Sequence, residues 1–323
     1  MTRRVLITGG AGFIGSHVAD LFLAKGWSVE IIDNLSSGKR ANVNPAARLH
    51  VLDIRSADAA ELVAFAGFDA LIHLAAQMDV RRSVADPLFD ASVNIVGTLN
   101  LLEAIRQSAS ARPRVVFAST GGAVYGDAAT PPSSETTPKE PDSPYAIAKL
   151  SAEYYLSYYA RIHGLDTASV RFGNVYGPRQ DPHGEAGVVA IFCGRILDGR
   201  SLLVFGDGTQ TRDYVHVGDV AEATFAAATA ELPRARRVDD RAFNIGTGVG
   251  TSVLDLASTL LTAAGATSPI EFAPKRPGEQ QHSFLSIDKA RDALDWAPRV
   301  SLERGLADTY TWFAARRAAA PSP

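Results

Sequence analysis

The sequence predicts an α/β fold, in which a doubly wound parallel sheet is joined by a smaller, mixed α/β C-terminal domain. Short apolar runs that are typical of buried strands alternate with amphipathic helical patterns through the first half of the chain. A glycine-rich turn separates the first of these strands from the first helix. The length of 323 residues suits one large α/β domain or two closely joined domains.

The predicted strands of the first half follow one another in the βαβ order of a parallel sheet. They cover residues 4–8, 28–32, 49–52, 70–74 and 115–119. Several prolines between residues 130 and 144 exclude a helix there. This segment is therefore predicted to be a long surface loop that leads into the helix carrying Tyr145.

The second half of the chain has a less regular pattern, with turns rich in glycine and proline around 177–187 and 274–278. Residues 220–230 look helical and 242–245 look like a strand, which predicts that the chain returns to the sheet before it ends in the smaller domain. The predicted first domain covers residues 1–173 with about 220–250, and the second covers 174–219 and 251–323.

The composition is that of an ordinary soluble protein, with 46% hydrophobic residues, 21% charged residues and a net charge of -3. The low cysteine content favours a reducing compartment, so the cytoplasm is the expected location. The chain lacks the basic balance that nucleic acid or an anionic membrane would favour, so neither is an expected partner. The only cysteine, Cys193, excludes intrachain disulfides, and no histidine shows metal-ligand spacing, so no metal is predicted. A strand at the start and no apolar run near 18 residues argue against a signal peptide or a membrane span.

The strongest local motif is a glycine-rich turn between the first strand and the first helix. Gly9, Gly10, Gly12 and Gly15 satisfy both the spacing G-x-G-x-x-G and the spacing G-x-x-G-x-x-G. Glycines let the backbone turn tightly and approach a pyrophosphate, while the start of the helix offers free N–H donors. The motif predicts a Rossmann-type dinucleotide site in the first domain.

An acidic residue after the second strand indicates which dinucleotide is bound. Asp33 lies about 20 residues beyond the glycines, where a carboxylate can accept hydrogen bonds from a ribose 2′-hydroxyl and repel a 2′-phosphate. NAD is therefore the predicted cofactor. Lys39 and Arg40 lie close by, so the preference for NAD over NADP is less firmly predicted than dinucleotide binding itself.

Tyr145 and Lys149 are spaced i, i+4 at the start of a helical pattern, so their side chains lie one turn apart on the same face. A nearby ammonium and a nicotinamide cation would favour the phenolate and bring Tyr145 towards a useful base strength. Tyr145 could then take a proton from a sugar hydroxyl. Taken alone, such a pair is a common surface feature of helices; the dinucleotide motif makes a catalytic role the favoured interpretation.

Several motifs together resemble the extended short-chain dehydrogenase/reductase family, and others resemble its UDP-glucose 4-epimerase branch. The first set is TGGAGFIG, Asp33, HLAAQ at 73–77, VYG at 124–126 and SPYAIAK at 143–149. The second set is RFGNVYGPRQ at 171–180, GDGTQTRDYVHVGDVA at 206–221 and RPGE at 276–279. This resemblance covers nearly the whole chain.

The resemblance implies a set of contacts for the cofactor and another for a UDP-sugar. The implied cofactor contacts are Gly9, Gly12, Phe13, Ile14, Gly15, Asp33, Asn34, Asp53, Ile54, Leu74, Ala75, Ala76, Asn94 and Lys149. The implied substrate contacts are Ser119, Thr120, Tyr145, Asn174, Val204, Arg212, Arg276 and Ser283. The helices at 87–108 and 145–163 could be ordinary core elements, but in this family such a pair forms a four-helix interface, which implies a homodimer.

The family divides by the residues just before the VYG tyrosine. Its 4,6-dehydratases carry an Asp-Glu pair there and its decarboxylating members carry a Glu, whereas this chain has Gly122 and Ala123. The expected reaction is therefore inversion at C4 of a UDP-hexose through a transient 4-keto sugar. UDP-glucose and UDP-galactose are the leading pair, with their N-acetyl forms as a further possibility. A UDP-glucuronate 4-epimerase, another nucleotide-sugar oxidoreductase and a non-catalytic NAD-sensing protein are the alternatives.

Two positions bear on how this reaction would run. Four residues before Tyr125, where the family has a Ser or Thr that bonds the reacting hydroxyl, this chain has Gly121. We expect the neighbouring Thr120 to supply that hydroxyl, because Gly121 and Gly122 free the backbone to shift. Ser283 stands where the family places a gate residue, and its small side chain predicts room for an N-acetyl group.

Overall fold

The computed structural model describes residues 2–108, 112–182, 187–275 and 280–319. The strands are β1 Arg4–Thr8, β2 Ser28–Ile32, β3 Arg48–His50, β4 Ala70–His73, β5 Arg114–Thr120, β6 Thr167–Phe172, β7 Asn174–Tyr176, β8 Leu202–Phe205, β9 Thr211–Arg212, β10 Tyr214–His216, β11 Ala242–Ile245, β12 Thr251–Ser252, β13 Ile270–Ala273 and β14 His282–Ser283. The helices are α1 Phe13–Ala24, α2 Ala57–Phe65, α3 Val80–Ala85, α4 Pro87–Ala91, α5 Gly97–Gln107, α6 Pro144–His163, α7 Val188–Leu197, α8 Val217–Thr229, α9 Val253–Ala264, α10 Asp288–Leu294 and α11 Leu302–Ala318.

Seven parallel strands form the central sheet in the order β11-β6-β5-β4-β1-β2-β3. The chain runs outward from β1 in one direction to β3 and in the other direction from β4 to β11. Ligands of doubly wound sheets bind where the order reverses, at the carboxyl ends of the strands, which here is the crevice beyond β1 and β4. The predicted fold class is confirmed.

Helices cover both faces of the sheet, as a buried parallel sheet requires. One face packs against α1 and α8, with Phe22 and Ala227 fully buried in that layer. The other face packs against α2, α5 and α6, where Leu101 and Leu156 are buried. The sheet is therefore held between two apolar layers that fix the crevice from both sides.

The chain returns to the sheet twice after it first leaves. β11 pairs with β6 as the edge strand, at the segment 242–245 that the sequence predicts to be a strand. Ala290 and Leu294 of α10 and the following Trp296 lie in the same core layer as α1. Residues 288–296, assigned from sequence to the second domain, therefore pack against the first, while the division into domains stays a prediction.

The remaining elements form a smaller mixed α/β body beside the carboxyl end of the sheet. Its strand pairs are β7 with β10, β8 with β13, and β9 with both β12 and β14. Helices α7, α9 and α11 pack around one apolar core that contains Phe192, Cys193 and Leu256. Burial raises the pKa of the Cys193 thiol to about 12, so this thiol is inert at neutral pH.

The stretch Pro87–Gln107 differs from its predicted form as one continuous helix. A π-helical turn, Ser92–Val96, separates α4 from α5. Among the described residues this stretch is long and apolar enough to cross a membrane by length and composition, with 44% of its apolar window buried in the protein. From the sequence, no apolar run of this length is expected. Because Leu101, Leu102 and Ile105 of α5 lie in the core, packing against the sheet accounts for the composition.

Candidate active site

The glycine-rich turn has a shape that only glycine permits. Gly9 has φ +74°, and a Cβ atom there would lie 2.7 Å from the backbone nitrogen of Ala75. A Cβ on Gly15 would collide with the Gly9 carbonyl oxygen. Gly12 precedes α1 without a capping side chain, so the first N–H groups of this helix remain available to a ligand. The turn therefore fits the pyrophosphate of a dinucleotide.

Asp33 lies beside this turn at the carboxyl end of β2. Its Oδ2 accepts the N–H of Ala11 at 3.0 Å, and its Oδ1 accepts the N–H of Leu35 at 2.8 Å. Gly38 packs directly against the carboxylate, where a Cβ would lie 2.7 Å from Oδ1. Fixed in this way, the carboxylate stands where the ribose of a bound dinucleotide is expected.

The residues implied for the adenine end also come together. Asn34 Nδ2 donates to Asp53 Oδ2 at 3.1 Å. The Arg55 guanidinium donates to both carboxylate oxygens of Asp53 and holds the pKa of that carboxyl well below its usual range. Ile54 is buried against Gly97 of α5. Their contact with an adenine remains a prediction.

The loop after β4 forms the next part of the crevice. Leu74 and Ala75 lie against Gly9, and the Ala75 N–H donates to Thr8 Oγ1 at 3.2 Å. Asn94 accepts the N–H of Gln77 at 2.9 Å and donates to the Gln77 carbonyl at 2.9 Å. The Asn94 side chain is thus committed to holding this loop. Ala76 lies between these anchored residues, half-buried.

Tyr145 and Lys149 occupy the first turns of α6, which begins at Pro144. The N-cap residue Ser143 accepts the N–H of Ala146 at 3.2 Å and fixes the start of the helix. Lys149 Nζ donates to the carbonyl of Ala118 in β5 at 2.9 Å and lies 5.9 Å from the centre of the Tyr145 ring. The pair is therefore held against the end of β5.

Burial dominates the electrostatics of this pair. It lowers the pKa of Lys149 to about 8, against the opposing effects of the Asp90 and Glu153 carboxylates. It raises the pKa of Tyr145, with a further contribution from Asp90. Without a bound nicotinamide, the protein therefore keeps the phenol neutral. The shift towards phenolate that the sequence predicts requires the nicotinamide cation to be bound.

A cavity of about 280 Å³ opens where the sheet meets the smaller body. Its walls are Phe13, Ile14, Met78, Ser119, Thr120, Tyr145, Phe172, Gly173, Asn174, Val175, Tyr176, Gln180, Gly187, Val188, Val189 and Tyr214. The Ser119 hydroxyl is buried and has no hydrogen-bond partner within the described residues. Since buried hydroxyls are normally satisfied, this oxygen indicates a ligand or water in the cavity.

Gly121 differs from the family pattern for a steric reason. A Cβ at this position would lie 2.6 Å from Leu285 Cδ1 and 3.0 Å from the Arg171 carbonyl oxygen. No hydroxyl-bearing side chain fits there without displacing these atoms. The wall of the cavity is formed instead by Thr120, one residue earlier in β5.

Not all implied substrate residues line this cavity. Val204 is completely buried in the core of the smaller body. Arg212 and Ser283 lie apart from the cavity but next to each other, paired in register between β9 and β14. Arg276 lies outside the described residues. The substrate role of each remains a prediction.

The cavity also contains residues that the sequence analysis did not select. Tyr176, Gln180 and Tyr214 line it, together with Val188 and Val189 at the start of α7. Gln180 is part of the RFGNVYGPRQ motif, which could have indicated that this residue lies near the substrate. Nothing in the local sequence marks the start of α7, because it reaches the cavity only through the packing of the smaller body.

Comparison with known proteins finds relatives that match nearly the whole chain. Residues 5–246 match the model of the NAD dependent epimerase/dehydratase family. A UDP-glucose 4-epimerase of Mycolicibacterium smegmatis is 45% identical over 96% of this chain and 98% of its own length. The structure of a UDP-glucose 4-epimerase from Thermotoga maritima with UDP-glucose has a TM-score of 0.91 at 44% identity, covering 97% of this chain and 99% of that one.

A second solved structure carries the cofactor. It is the UDP-glucose 4-epimerase of Thermus thermophilus in complex with NAD, with a TM-score of 0.88 at 44% identity, covering 98% of this chain and all of that one (100%). The glycine turn and the anchored Asp33 described above are features of dinucleotide-binding sites in general. The chain therefore belongs to the NAD-dependent epimerase/dehydratase family.

Proposed function

We propose that this protein is an NAD-dependent epimerase that inverts C4 of a UDP-hexose, with UDP-glucose and UDP-galactose as the leading pair. One observation carries the proposal: the hydroxyl-bearing side chains of Ser119, Thr120 and Tyr145 line a single cavity with the start of α1, at the end of the glycine turn. The names and identities of the three relatives support the same reaction.

The residues present fit a dinucleotide and a sugar hydroxyl side by side. Gly9, Gly12 and Gly15 would hold the pyrophosphate and Asp33 the adenosine ribose. When bound, NAD supplies reversible hydride transfer at the sugar carbon. The Tyr145 oxygen takes the proton of the 4-hydroxyl as C4 is oxidised, and returns it as C4 is reduced from the opposite face.

The other side chains around C4 decide which reaction follows oxidation. Elimination of water needs an acid and a base near the neighbouring sugar carbons. Gly122 and Ala123 supply neither, although a Cβ on Gly122 would meet nothing closer than Asn174 Oδ1 at 3.6 Å. A 4-keto sugar formed here is therefore reduced again, and net redox change over a turnover is zero.

The direct test incubates the purified protein with a panel of UDP-sugars and resolves the products by chromatography. We expect UDP-glucose and UDP-galactose to interconvert without added NAD, and freshly denatured protein to release nicotinamide cofactor. A steady change in absorbance at 340 nm would instead identify a dehydrogenase or reductase that exchanges its cofactor. Release of NAD(H) without conversion of any sugar would favour the non-catalytic, NAD-sensing alternative.

The width of the sugar site is a separate question. Ser283 is a small, buried residue in β14, next to Arg212 of β9. We propose that it leaves room for an N-acetyl group at C2, so UDP-N-acetylglucosamine should be epimerised at a rate comparable with UDP-glucose. Ser283→Tyr should remove the N-acetyl activity selectively. Equal loss of both activities in this variant would contradict a gate at this position.

We also propose a homodimer formed through α4, α5 and α6. Large apolar side chains on α3, on α4, at the end of the π-helical turn and on α6 are between 41% and 83% exposed, which is unusual for a free protein surface. They are Val84, Leu88, Val96, Ile147, Tyr154, Tyr155, Tyr158 and Ile162. Light scattering should give twice the chain mass, and Ile162→Glu should give monomers, whereas Phe65→Glu on α2 should not.

We place the protein in the cytoplasm. Its one cysteine is buried in the core and reduced, as is usual for proteins of reducing compartments. Fractionation of the native cells, with antibody detection in the soluble, membrane and secreted fractions, tests this placement.

A further inference from the structure

The loop after β2 brings a cation close to the predicted ribose site. The Lys39 N–H donates to the Ala11 carbonyl at 2.9 Å, and the preceding Gly38 packs against the Asp33 carboxylate. The backbone of Lys39 is therefore anchored beside the glycine turn. A basic residue at this place is the kind of group that accepts the 2′-phosphate of NADP.

The Lys39 ammonium is engaged by a carboxylate from the other side of the crevice. Lys39 Nζ lies 2.6 Å from Oδ2 of Asp181. Asp181 lies in the segment 177–182, which follows β7 in the chain. The ion pair thus crosses from the predicted cofactor loop to the chain that lines the sugar cavity.

The segment 177–182 is itself docked on α1, so the position of Asp181 does not depend on its own side chain. The Pro178 carbonyl accepts a hydrogen bond from His17 Nε2 at 2.9 Å. Arg179 is paired with Asp20, with 2.7 Å between NH2 and Oδ2. Both contacts join the residues just before Asp181 to successive turns of the helix that follows the glycines.

We propose that Asp181 is a cofactor-specificity residue, which withholds the Lys39 ammonium from a ribose 2′-phosphate and so favours NAD over NADP. The inference rests on the dinucleotide site proposed above and deepens it. Selectivity then comes from two carboxylates, Asp33 on the cofactor side and Asp181 on the sugar side. Asp33 repels the phosphate directly, and Asp181 removes the cation that would otherwise attract it.

The expected effect is severalfold. Both side chains of the pair are about half exposed, at 49% for Lys39 and 42% for Asp181, so water screens their attraction. Freeing the ammonium should therefore change the relative affinity for the two dinucleotides by about two- to fivefold. Asp33 remains the larger determinant, because its carboxylate meets the ribose itself.

The experiment is a direct competition that does not depend on turnover. Full-length protein is equilibrated with equal, saturating concentrations of NAD and NADP, with exchange followed to completion using labelled NAD. After rapid gel filtration the protein is denatured and the two dinucleotides are quantified. The variants are Asp181→Asn, Lys39→Met, the double variant, and Asp198→Asn as a control that breaks a similarly exposed ion pair, with Arg317, and leaves the docking of segment 177–182 intact.

We expect Asp181→Asn to raise the ratio of bound NADP to NAD, and the double variant to lose that gain because the ammonium is gone. Asp198→Asn should keep the wild-type ratio. The proposal is overturned if the ratio in Asp181→Asn equals that of the wild type, or if it rises equally without Lys39 or in Asp198→Asn. Wild-type protein that retains neither dinucleotide would instead contradict the cofactor site itself.

Discussion

The glycine turn and the opposite wall of the crevice hold their residues in different ways. In the turn, backbone and carboxylate contacts join the glycines to the residues that follow β2 and β4, as between Ala11 and Asp33 and between Gly9 and Ala75. On the opposite wall, Asn174 and Tyr214 line the cavity because β7 pairs with β10. The first region is a rigid unit built on the sheet, and the second exists only when the smaller body has folded.

This difference has a functional consequence. A change in the glycine turn should remove the cofactor and with it all activity, because each backbone contact there depends on its neighbours. A change on the sugar wall should leave the cofactor in place and alter turnover or substrate choice by degrees. The following substitutions separate the two regions.

Gly15→Ala should have the largest effect. Its Cβ would strike the Gly9 carbonyl oxygen, so the turn must open and the free N–H groups of α1 move away from the pyrophosphate. We expect a folded protein that purifies without NAD(H) and shows no epimerase activity. Nicotinamide release on denaturation measures this.

The matched control is Gly194→Ala in α7, where a Cβ would meet nothing closer than Pro182 at 3.9 Å. This variant should keep full cofactor content. A Gly15→Ala protein with normal NAD content would show that the turn tolerates a side chain and is not the rigid unit described above.

Tyr145→Phe should reduce turnover by about 10³-fold, within the range seen for a removed general acid–base group. Cofactor content should stay at the wild-type level, because the glycine turn is unchanged. Tyr154→Phe, on an exposed part of the same helix, is the control and should retain its activity. Comparable losses in the two variants would remove the reason to place proton transfer at Tyr145.

Thr120→Val should lower kcat by about 10²-fold with little change in cofactor content. Valine keeps the shape of threonine and deletes the hydroxyl, which lines the cavity where Gly121 has no room for a side chain. Ser119→Ala should cost less. Wild-type kcat in Thr120→Val would mean that this hydroxyl only ends its strand, as threonine hydroxyls often do.

The same contrast explains how far the sequence could predict the molecule. The strands, the returning strand 242–245 and the glycine turn are encoded in local patterns, and the structure has them. The place of Val188 and Val189 in the cavity depends on long-range packing, which no local pattern shows. Val204 shows the converse: the family resemblance implies a substrate contact, but its side chain is buried in a core that only the folded body creates.

The shifted pKa values of the site cannot be predicted from the sequence, because a motif does not show how deeply its side chains are buried. The spacing of Tyr145 and Lys149 predicts their proximity, and the structure has it. It does not reveal that Asp90 of α4 raises the pKa of both groups, or that burial nevertheless lowers the pKa of Lys149. An i, i+4 pair on an exposed helix would have nearly ordinary pKa values.

The smallest predicted effect concerns the burial of Lys149, and it can be measured without turnover. Burial lowers the pKa of Lys149 to about 8 from the ordinary 10.5, so between these values the unfolded chain binds more protons than the folded one. The free energy of unfolding contributed by this group therefore rises with pH, by about 1 kcal/mol between pH 8 and pH 9. The raised pKa of Tyr145 adds nothing in this window, because the phenol is protonated in both states.

Urea unfolding of cofactor-free wild type and Lys149→Met at the two pH values isolates the contribution of Lys149, as the difference between the two proteins in how the free energy of unfolding changes with pH. The exposed Lys25→Met variant should keep the wild-type slope, and an equal slope in wild type and Lys149→Met would show that burial does not lower the pKa of Lys149.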